Sequence, residues 1–190
     1  MAYRYGKSVA TIHLKSVDFE TKHDRPLLDL KQLIEEPLKV IKKSLILQIN
    51  DYNFIESIGK KIITKITELQ SEMDWGICHG DLHGGNAHIR ADIITHFDFD
   101  ICGYGWRAYD LAVFKFAREL EADKKSGEGN NSNQIWIAFL EGYKSIRNLG
   151  QRDIESIPYF CVIRQLWLMK LSLQYFRDLD IVGSVNAIFQ

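Results

Sequence analysis

Apolar residues recur at helical spacing through the first third of the chain, among polar and charged positions. Pro37 marks a break in this pattern, and Asp51 is placed to cap the longest amphipathic stretch. The segment 19–26 is polar and is predicted to be a loop. Helices that act as packing elements are predicted over residues 3–15, 27–34, 38–47 and 51–69.

Helical spacing returns in the last part of the chain. Pro158 suits the first turn of a helix, where its missing N–H is not needed. The run at 124–133 is rich in Gly, Ser, Asn and charged residues, and it predicts a mobile surface loop. The predicted helices cover residues 109–120, 135–146 and 158–176, and a short segment then runs to Gln190.

The pattern is different in the middle of the chain. A short apolar stretch at 76–78 leads into a Gly-rich polar loop at 79–86. Short strands are predicted at 87–89 and 93–97, joined by a tight turn near 91–92. The predicted fold class is therefore α+β, mostly helical with a small β-hairpin.

Composition limits the kinds of protein that this chain can be. Its 190 residues are 46% hydrophobic and 12% aromatic, which suits one packed domain rather than a disordered chain. Because 24 Lys and Arg oppose 25 Asp and Glu, the net charge is -1, and no overall field favours nucleic acid or an acidic membrane. We therefore expect partners to be recognised at a local site.

Cysteine usage and the longest apolar run favour a cytoplasmic protein. Three cysteines without a CxxC pair predict neither a disulfide framework nor a zinc site. Residues 1–16 lack the uncharged apolar core of a secretory signal. The run at 157–176 contains Arg164 and Lys170, which are costly at a bilayer centre, so we predict a buried helix and no membrane partner.

Chemistry-bearing residues concentrate at 79–86, which read His-Gly-Asp-Leu-His-Gly-Gly-Asn, and at 95–100, which read Thr-His-Phe-Asp-Phe-Asp. A carboxylate on a rigid loop can accept a hydroxyl proton, and an amide oxygen a few residues later can turn back to hold a metal ion. A second carboxylate from the strand pair completes an oxygen-rich site, for which Mg²⁺ is the expected cation. Asp81, Asn86 and Asp98 fit these roles.

These motifs resemble those of a known family. His79, Asp81 and Asn86 have the spacing of the protein kinase catalytic loop, His-Arg-Asp-x-x-x-x-Asn. With Gly after the first His and a second His further on, the loop resembles the aminoglycoside phosphotransferase family, which includes choline, homoserine and stress-response kinases. Residues 98–100 are similar to the kinase Asp-Phe-Gly segment, and 109–112 to the helix-opening segment of the family.

The resemblance implies a fold and an activity. The chain would be the C-terminal lobe of a protein-kinase-like fold, with residues 6–13 in its first helix and a small catalytic β-hairpin. Its activity would be transfer of the γ-phosphoryl group of ATP, with Mg²⁺, to a hydroxyl of a small molecule, with a protein serine or threonine left open. The N-terminal lobe that grips ATP would lie outside residues 1–190, so the nucleotide-binding residues of that lobe are not identified.

The resemblance also implies roles for individual residues. Asp81 would orient or deprotonate the acceptor hydroxyl, while Asn86 and Asp98 would hold Mg²⁺. Asp110 would brace the catalytic loop, which is compatible with a position in the first turn of a helix. His79 would pack beneath the loop and fix its backbone.

Several other residues have more than one interpretation. His83 either reaches a phosphate or hydrogen-bonds within the loop, and Asp100 is expected to cap a turn rather than to assist the metal. His13, His88 and His96 are expected to be structural. The aromatic residues of the C-terminal helices are expected to pack in the core. Candidates for the acceptor pocket are Trp106, Glu141, Tyr143 and Arg164.

The residues leave two other functions open. His79, Asp81 and His83 alternate along the chain and can present ligands to zinc, as in a metal-dependent hydrolase, but that function leaves Asn86 and Asp98 unexplained. The other alternative is a truncated, non-catalytic remnant or binding module of the same family, folded but unable to hold ATP.

Overall fold

Helices make up most of the chain in a computed structural model that describes residues 1–44, 49–124 and 129–175. They are α1 (Ala2–Lys15), α2 (Glu36–Lys43), α3 (Ile49–Leu69), α4 (Arg107–Lys124), α5 (Gly129–Lys144) and α6 (Gln151–Tyr175). Helix α1 packs along α5, and α4 packs along α6. No helix within these ranges is long and apolar enough to cross a membrane.

Short strands form two small sheets. They are β1 (Leu27–Leu28), β2 (Trp75–Cys78), β3 (Ala87–Arg90), β4 (Ile93–His96) and β5 (Gly103–Trp106). Strand β5 lies between β1, to which it is parallel, and β2, to which it is antiparallel. Strands β3 and β4 form the predicted hairpin, which turns at Ala91 with a φ of 53°. The expected mixture of many helices and a small hairpin is confirmed.

The predicted helix over 27–34 is wrong in its first half. Leu27 and Leu28 form β1, and a helical turn begins only at Lys31. Pairing with a strand far along the chain overrides the local helical spacing. Strand β5 was not predicted, because its sequence Gly-Tyr-Gly-Trp has Gly, a poor strand former, at alternate positions.

Two prolines lie at other places in their helices than the sequence predicts. Pro37 does not break a helix, because it lies in the first turn of α2, directly after the helical turn Lys31–Glu35. Pro158 lies inside α6 rather than in its first turn. Its neighbours Ile157 and Phe160 are buried, and this burial offsets the roughly 3 kcal/mol that an interior proline costs.

Other helix ends also differ from the predicted ones. Asp51 lies in the first turn of α3 and is not its N-cap, since that helix begins at Ile49. The predicted loop at 124–133 is wrong at its C-terminal end, where α5 begins at Gly129. Some predicted segments lie outside the described residues, namely 45–47, 125–128 and 176–190.

Helices α1 and α5 touch backbone to backbone. A Cβ atom on Gly6 of α1 would lie 1.9 Å from the carbonyl oxygen of Phe139. A Cβ atom on Gly142 of α5 would lie 1.9 Å from the carbonyl oxygen of Tyr3. Only glycine fits at either position, and this close approach brings His13 of α1 against Tyr143 of α5.

Candidate active site

The loop that carries the predicted chemistry begins where β2 ends, at Cys78. Gly80 has a φ of 84°, and a Cβ there would lie 2.9 Å from the carbonyl oxygen of Ile101, so the turn requires glycine. Leu82 is fully buried and anchors the loop in the core. Between these two fixed points the side chain of Asp81 is 21% exposed, which leaves it partly accessible to a ligand.

The carboxylate of Asp81 has protein partners on both oxygens. Asn86 Nδ2 donates to Asp81 Oδ2 at 3.0 Å and to the main-chain oxygen of Asp81 at 2.9 Å. Arg164 Nη2 pairs with Asp81 Oδ1. His83 Nε2 lies 3.5 Å from Oδ2. The side chain is thus held in one orientation by groups from the loop and from α6.

The strand register brings Asp98 to the same end of the hairpin as Asn86. Ala87 pairs with His96, and the N–H of Phe97 donates to the carbonyl oxygen of Asn86 at 3.1 Å. Asp98 follows directly, is exposed, and has a φ of 64°, a left-handed conformation that Asp tolerates better than most residues. The backbones of an amide residue and a carboxylate residue therefore come to the same end of the hairpin.

These two side chains suit a hard divalent cation. The amide nitrogen of Asn86 is occupied by Asp81, so its oxygen is the atom left to bind a metal ion. Mg²⁺ is held in proteins by one or two such oxygen ligands together with phosphate oxygens and water. The pair Asn86 and Asp98 fits that pattern, with one amide oxygen and one carboxylate.

Asp110, in the first turn of α4, is fully buried beneath the loop at 79–86. Its Oδ1 accepts the N–H of Gly80 at 2.8 Å, and its Oδ2 accepts the N–H of His79 at 2.7 Å. His13 Nε2 lies 3.0 Å from Oδ2, and His13 Nδ1 lies 2.9 Å from the hydroxyl of Tyr143. Because a carboxylate only accepts, Nε2 donates and Nδ1 can accept from Tyr143.

The hydrogen bonds around Asp110 stabilise its ionised form. Burial alone would raise its pKa, but hydrogen bonds from His13 and from the backbone of Gly80 and His79 outweigh burial and hold the pKa below its ordinary value. A lowered pKa in the folded state means that ionised Asp110 stabilises the fold at neutral pH. That contribution is lost as the pH falls through the folded-state pKa.

Replacing Asp110 by Asn should therefore destabilise the chain. The amide group of Asn would turn one N–H donor toward the N–H donors of the loop, so at least one buried hydrogen bond is lost. We expect a decrease of about 3 kcal/mol in the free energy of unfolding, measured by urea denaturation.

Asp92→Asn is the matched control, because Asp92 is exposed at the hairpin turn and, among the described residues, pairs only with exposed Arg4. It should change the free energy of unfolding by less than about 0.5 kcal/mol. Equal effects of the two substitutions would show that Asp110 does not hold the loop.

The histidines of the loop and hairpin make contacts within the protein. His79 is buried, with Nε2 at 3.0 Å from the carbonyl oxygen of Phe97. His83 Nδ1 accepts the N–H of Gly85 at 3.0 Å, which is a contact within the loop. Burial, with the nearby His79, lowers the pKa of His96 to about 4, so His96 is neutral at pH 7. His88 is exposed and stacks on Phe97.

The alternative of a zinc hydrolase receives no support from this arrangement. In the described ranges no three His, Cys, Asp or Glu side chains come together as metal ligands. Although His83 lies near Asp81, the ring of His79 faces Phe97 and Phe99 instead of joining them. One amide oxygen and one carboxylate are a better match for Mg²⁺ than for zinc.

The acceptor-pocket candidates lie in different places. Trp106 is buried against Phe160, and Tyr143 is buried against His13. Glu141 is exposed on α5. Arg164 alone among the four has a contact with Asp81 in the described part of the chain. No local sequence signal pointed to that contact, because 83 residues separate the two side chains.

Comparison with solved structures identifies the fold. The structure of the amicoumacin kinase hAmiN in complex with AMP-PNP, Ca²⁺ and Ami has a TM-score of 0.69 to this chain at 22% identity. The similarity covers 97% of this chain and 55% of that one. The chain therefore has part of a protein-kinase-like phosphotransferase fold, and the predicted fold class is confirmed.

Comparison of sequences defines the family. The profile of the phosphotransferase enzyme family matches residues 6–131, and the chain belongs to that family. A Deinococcus radiodurans protein described as uncharacterized is 35% identical over 88% of this chain and 48% of its own length. Amicoumacin kinase from Bacillus subtilis is 29% identical over 60% of this chain and 34% of its own. The chain thus spans at most about half the length of these relatives.

Proposed function

We propose that this chain catalyses transfer of the γ-phosphoryl group of ATP to a hydroxyl group, most simply that of a small molecule. The observation that carries the proposal is the hydrogen-bonded pair Asp81 and Asn86 beside a hairpin whose register brings Asp98 to the same end. Membership of the phosphotransferase enzyme family supports it.

The three side chains have two different proposed roles, one toward the acceptor hydroxyl and one toward the metal ion. Asp81 orients the acceptor hydroxyl and accepts its proton while the hydroxyl oxygen bonds to the γ-phosphorus, the bond from that phosphorus to the β–γ bridging oxygen breaks, and ADP leaves. Asn86 and Asp98 would hold Mg²⁺, which would supply positive charge to neutralise the phosphates of the nucleotide. Asp81 needs a fixed direction for its role, and its contacts with Asn86 and Arg164 provide one.

The remaining loop residues are assigned to support. Asp110 braces the loop through the N–H groups of His79 and Gly80, and the ring of His79 ties the loop to the end of the hairpin through Phe97. We assign His83 to the loop rather than to a phosphate, because its Nδ1 already accepts a hydrogen bond from Gly85.

ATP and Mg²⁺ are the proposed cofactors, and the proposed setting is cytoplasmic. The structure of a similar protein, amicoumacin kinase hAmiN, holds AMP-PNP and Ca²⁺, a nucleotide and a divalent cation. We propose further that residues 1–190 form the C-terminal lobe, and that a partner lobe which covers the nucleotide is not among them.

Phosphorylation of a panel of alcohols tests the proposal directly. The chain would be incubated with ATP, Mg²⁺ and amino alcohols, hydroxy acids, sugars or aminoglycosides, and the products followed by ³¹P NMR. We expect a new phosphomonoester signal that requires Mg²⁺ and disappears with EDTA. Failure to form such a product with any acceptor would contradict catalysis by this chain.

A non-catalytic module of the same family is the second candidate, because both oxygens of the Asp81 carboxylate already have protein partners. Calorimetry with Mg²⁺ and AMP-PNP separates the two candidates. Micromolar binding would exclude a remnant that cannot hold ATP. An absence of both binding and product would support the remnant.

A further inference from the structure

One face of α1 makes two polar contacts with the candidate active site. The hydroxyl of Tyr5 donates to the main-chain oxygen of His83 at 3.1 Å. The hydroxyl of Ser8, three residues further along the helix, lies 2.8 Å from Nε2 of His96 in β4. Because residues three apart in a helix lie on the same side, a single helix face reaches both the loop at 79–86 and the hairpin.

The direction of the second hydrogen bond follows from the other partner of Ser8. Its hydroxyl donates its one hydrogen to the main-chain oxygen of Tyr5 at 2.8 Å, so it accepts the hydrogen on Nε2 of His96. The other ring nitrogen, Nδ1, is buried and has no hydrogen-bond partner within the described ranges. In that part of the chain the hydroxyl of Ser8 is therefore the hydrogen-bond partner of the His96 ring.

Each contact lies close to one of the proposed metal ligands. The main-chain oxygen of His83 that accepts from Tyr5 also accepts the N–H of Asn86, at 3.0 Å. On the other side, His96 ends β4 and Asp98 follows two residues later. The two hydroxyl groups of α1 thus hold the two segments from which the proposed ligands project.

Helix α1 is itself fixed on the body of the chain. Gly6 lies between Tyr5 and Ser8, and its backbone touches the backbone of Phe139 in α5, where a Cβ atom would lie 1.9 Å from the carbonyl oxygen. The ring of Tyr5 is buried and stacks on Phe114 of α4, with 5.1 Å between the ring centroids. The two hydroxyl groups therefore have fixed positions relative to each other and to the core.

We propose that Tyr5 and Ser8 are positioning residues that set the spacing between the two proposed metal ligands. The hydroxyl of Tyr5 holds the loop that carries Asn86, and the hydroxyl of Ser8 holds the strand that leads to Asp98. Ligands that already stand at the right distance bind a cation more tightly, because less free energy is spent on ordering them. This inference rests on the proposed cation site and adds two residues that act on it through others.

Removal of single hydroxyl groups tests the proposal. Mn²⁺ would be titrated into the chain in the presence of AMP-PNP, and broadening of the amide signals of Asn86 and Asp98 would give an apparent dissociation constant. We expect this constant to rise about tenfold in Ser8→Ala and in Tyr5→Phe, which remove a hydroxyl and leave the rest of the packing intact. Ser8→Thr keeps the hydroxyl and should restore the wild-type value.

Two exposed residues of the same helix provide matched controls. Thr11→Val removes a hydroxyl that donates to the main-chain oxygen of Lys7, and Tyr3→Phe removes the hydroxyl of an exposed tyrosine. Neither should change the dissociation constant for Mn²⁺ by more than about twofold. If the controls weakened Mn²⁺ binding as much as Ser8→Ala and Tyr5→Phe, the proposal would be overturned.

The double variant shows whether the two contacts set one distance. Removing the second hydroxyl widens a separation that the first removal has already loosened. The rise in the dissociation constant should therefore be smaller than the product of the two single rises. A rise equal to that product would mean that the contacts act independently, which contradicts a shared role in the spacing.

Hydrogen exchange without cation or nucleotide separates this inference from the proposed function. We expect the amides of Asn86 and Phe97 to exchange faster in Ser8→Ala and Tyr5→Phe than in the two controls. With that result, a wild type that does not bind Mn²⁺ would overturn the proposed function and leave the attachment by α1 intact. A wild type that binds Mn²⁺ as tightly as both variants would overturn the positioning role and leave the proposed function intact.

Discussion

Replacing Asp81 by Asn is expected to lower the rate of phosphoryl transfer by about a thousandfold. The amide has nearly the same shape as the carboxylate but cannot accept the hydroxyl proton. The amide also carries no negative charge to balance that of Arg164, which contacts Asp81 Oδ1. The rate would be measured as the initial velocity of phosphomonoester formation at saturating ATP and Mg²⁺, with the best acceptor of the alcohol panel.

Asp92→Asn makes the same chemical change at an exposed position of the hairpin turn and serves as the control. It should leave the velocity within about threefold of the wild type, and circular dichroism should show that both variants are folded. If Asp81→Asn retained a velocity close to that of Asp92→Asn, Asp81 would not be the catalytic carboxylate.

Replacing Asp98 by Asn is expected to weaken Mg²⁺-dependent binding of AMP-PNP by about 10- to 100-fold. The carboxylate of Asp98 is exposed at the end of the hairpin, where it would provide the charged ligand to the cation. Asn tolerates the left-handed φ of this position, so the change removes charge without adding backbone strain. The measurement is calorimetric titration with AMP-PNP in the presence and absence of Mg²⁺.

Asp100→Asn is the matched comparison for Asp98, since Asp100 is also exposed and lies in the same segment. We expect it to change the Mg²⁺-dependent affinity by less than about threefold, because Asp100 is assigned to a turn. If Asp100→Asn lowered the Mg²⁺-dependent affinity more than Asp98→Asn does, the metal ligand would be Asp100 and not Asp98.

Those residues of the candidate site that are near neighbours in sequence could be grouped together from the sequence alone. Asp81, Asn86 and Asp98 lie within one loop and one hairpin, and glycine and turn residues between them give strong local signals. The turn at Ala91 follows from the same local rules. The family resemblance, which rested on these motifs, is confirmed by the family profile.

Contacts between distant segments could not be predicted in this way. The pairing of β1 with β5 joins two leucines to a Gly-rich strand, and neither segment has the alternating pattern of a typical strand. Pro158 inside α6 is tolerated because of tertiary burial, which local helix rules do not include.

The contacts around the candidate site could not be predicted from the sequence for the same reason. His13 was expected to be structural, but its place between Tyr143 and Asp110 depends on the close approach of α1 and α5 at Gly6 and Gly142. The contact of Arg164 with Asp81 depends on how α6 packs against the loop. Such contacts arise from the packing of whole helices, for which a single sequence carries no local signal.

We propose that a divalent cation binds between Asn86 and Asp98, beside Asp81. Paramagnetic relaxation of backbone amide signals by Mn²⁺, in the presence of AMP-PNP, tests it most directly, because Mn²⁺ accepts the same oxygen ligands as Mg²⁺. We expect the strongest broadening at Asn86 and Asp98, with a loss of that pattern in Asp98→Asn. Broadening that is strongest at other acidic residues, or that is unchanged in Asp98→Asn, would contradict the metal site and the function built on it.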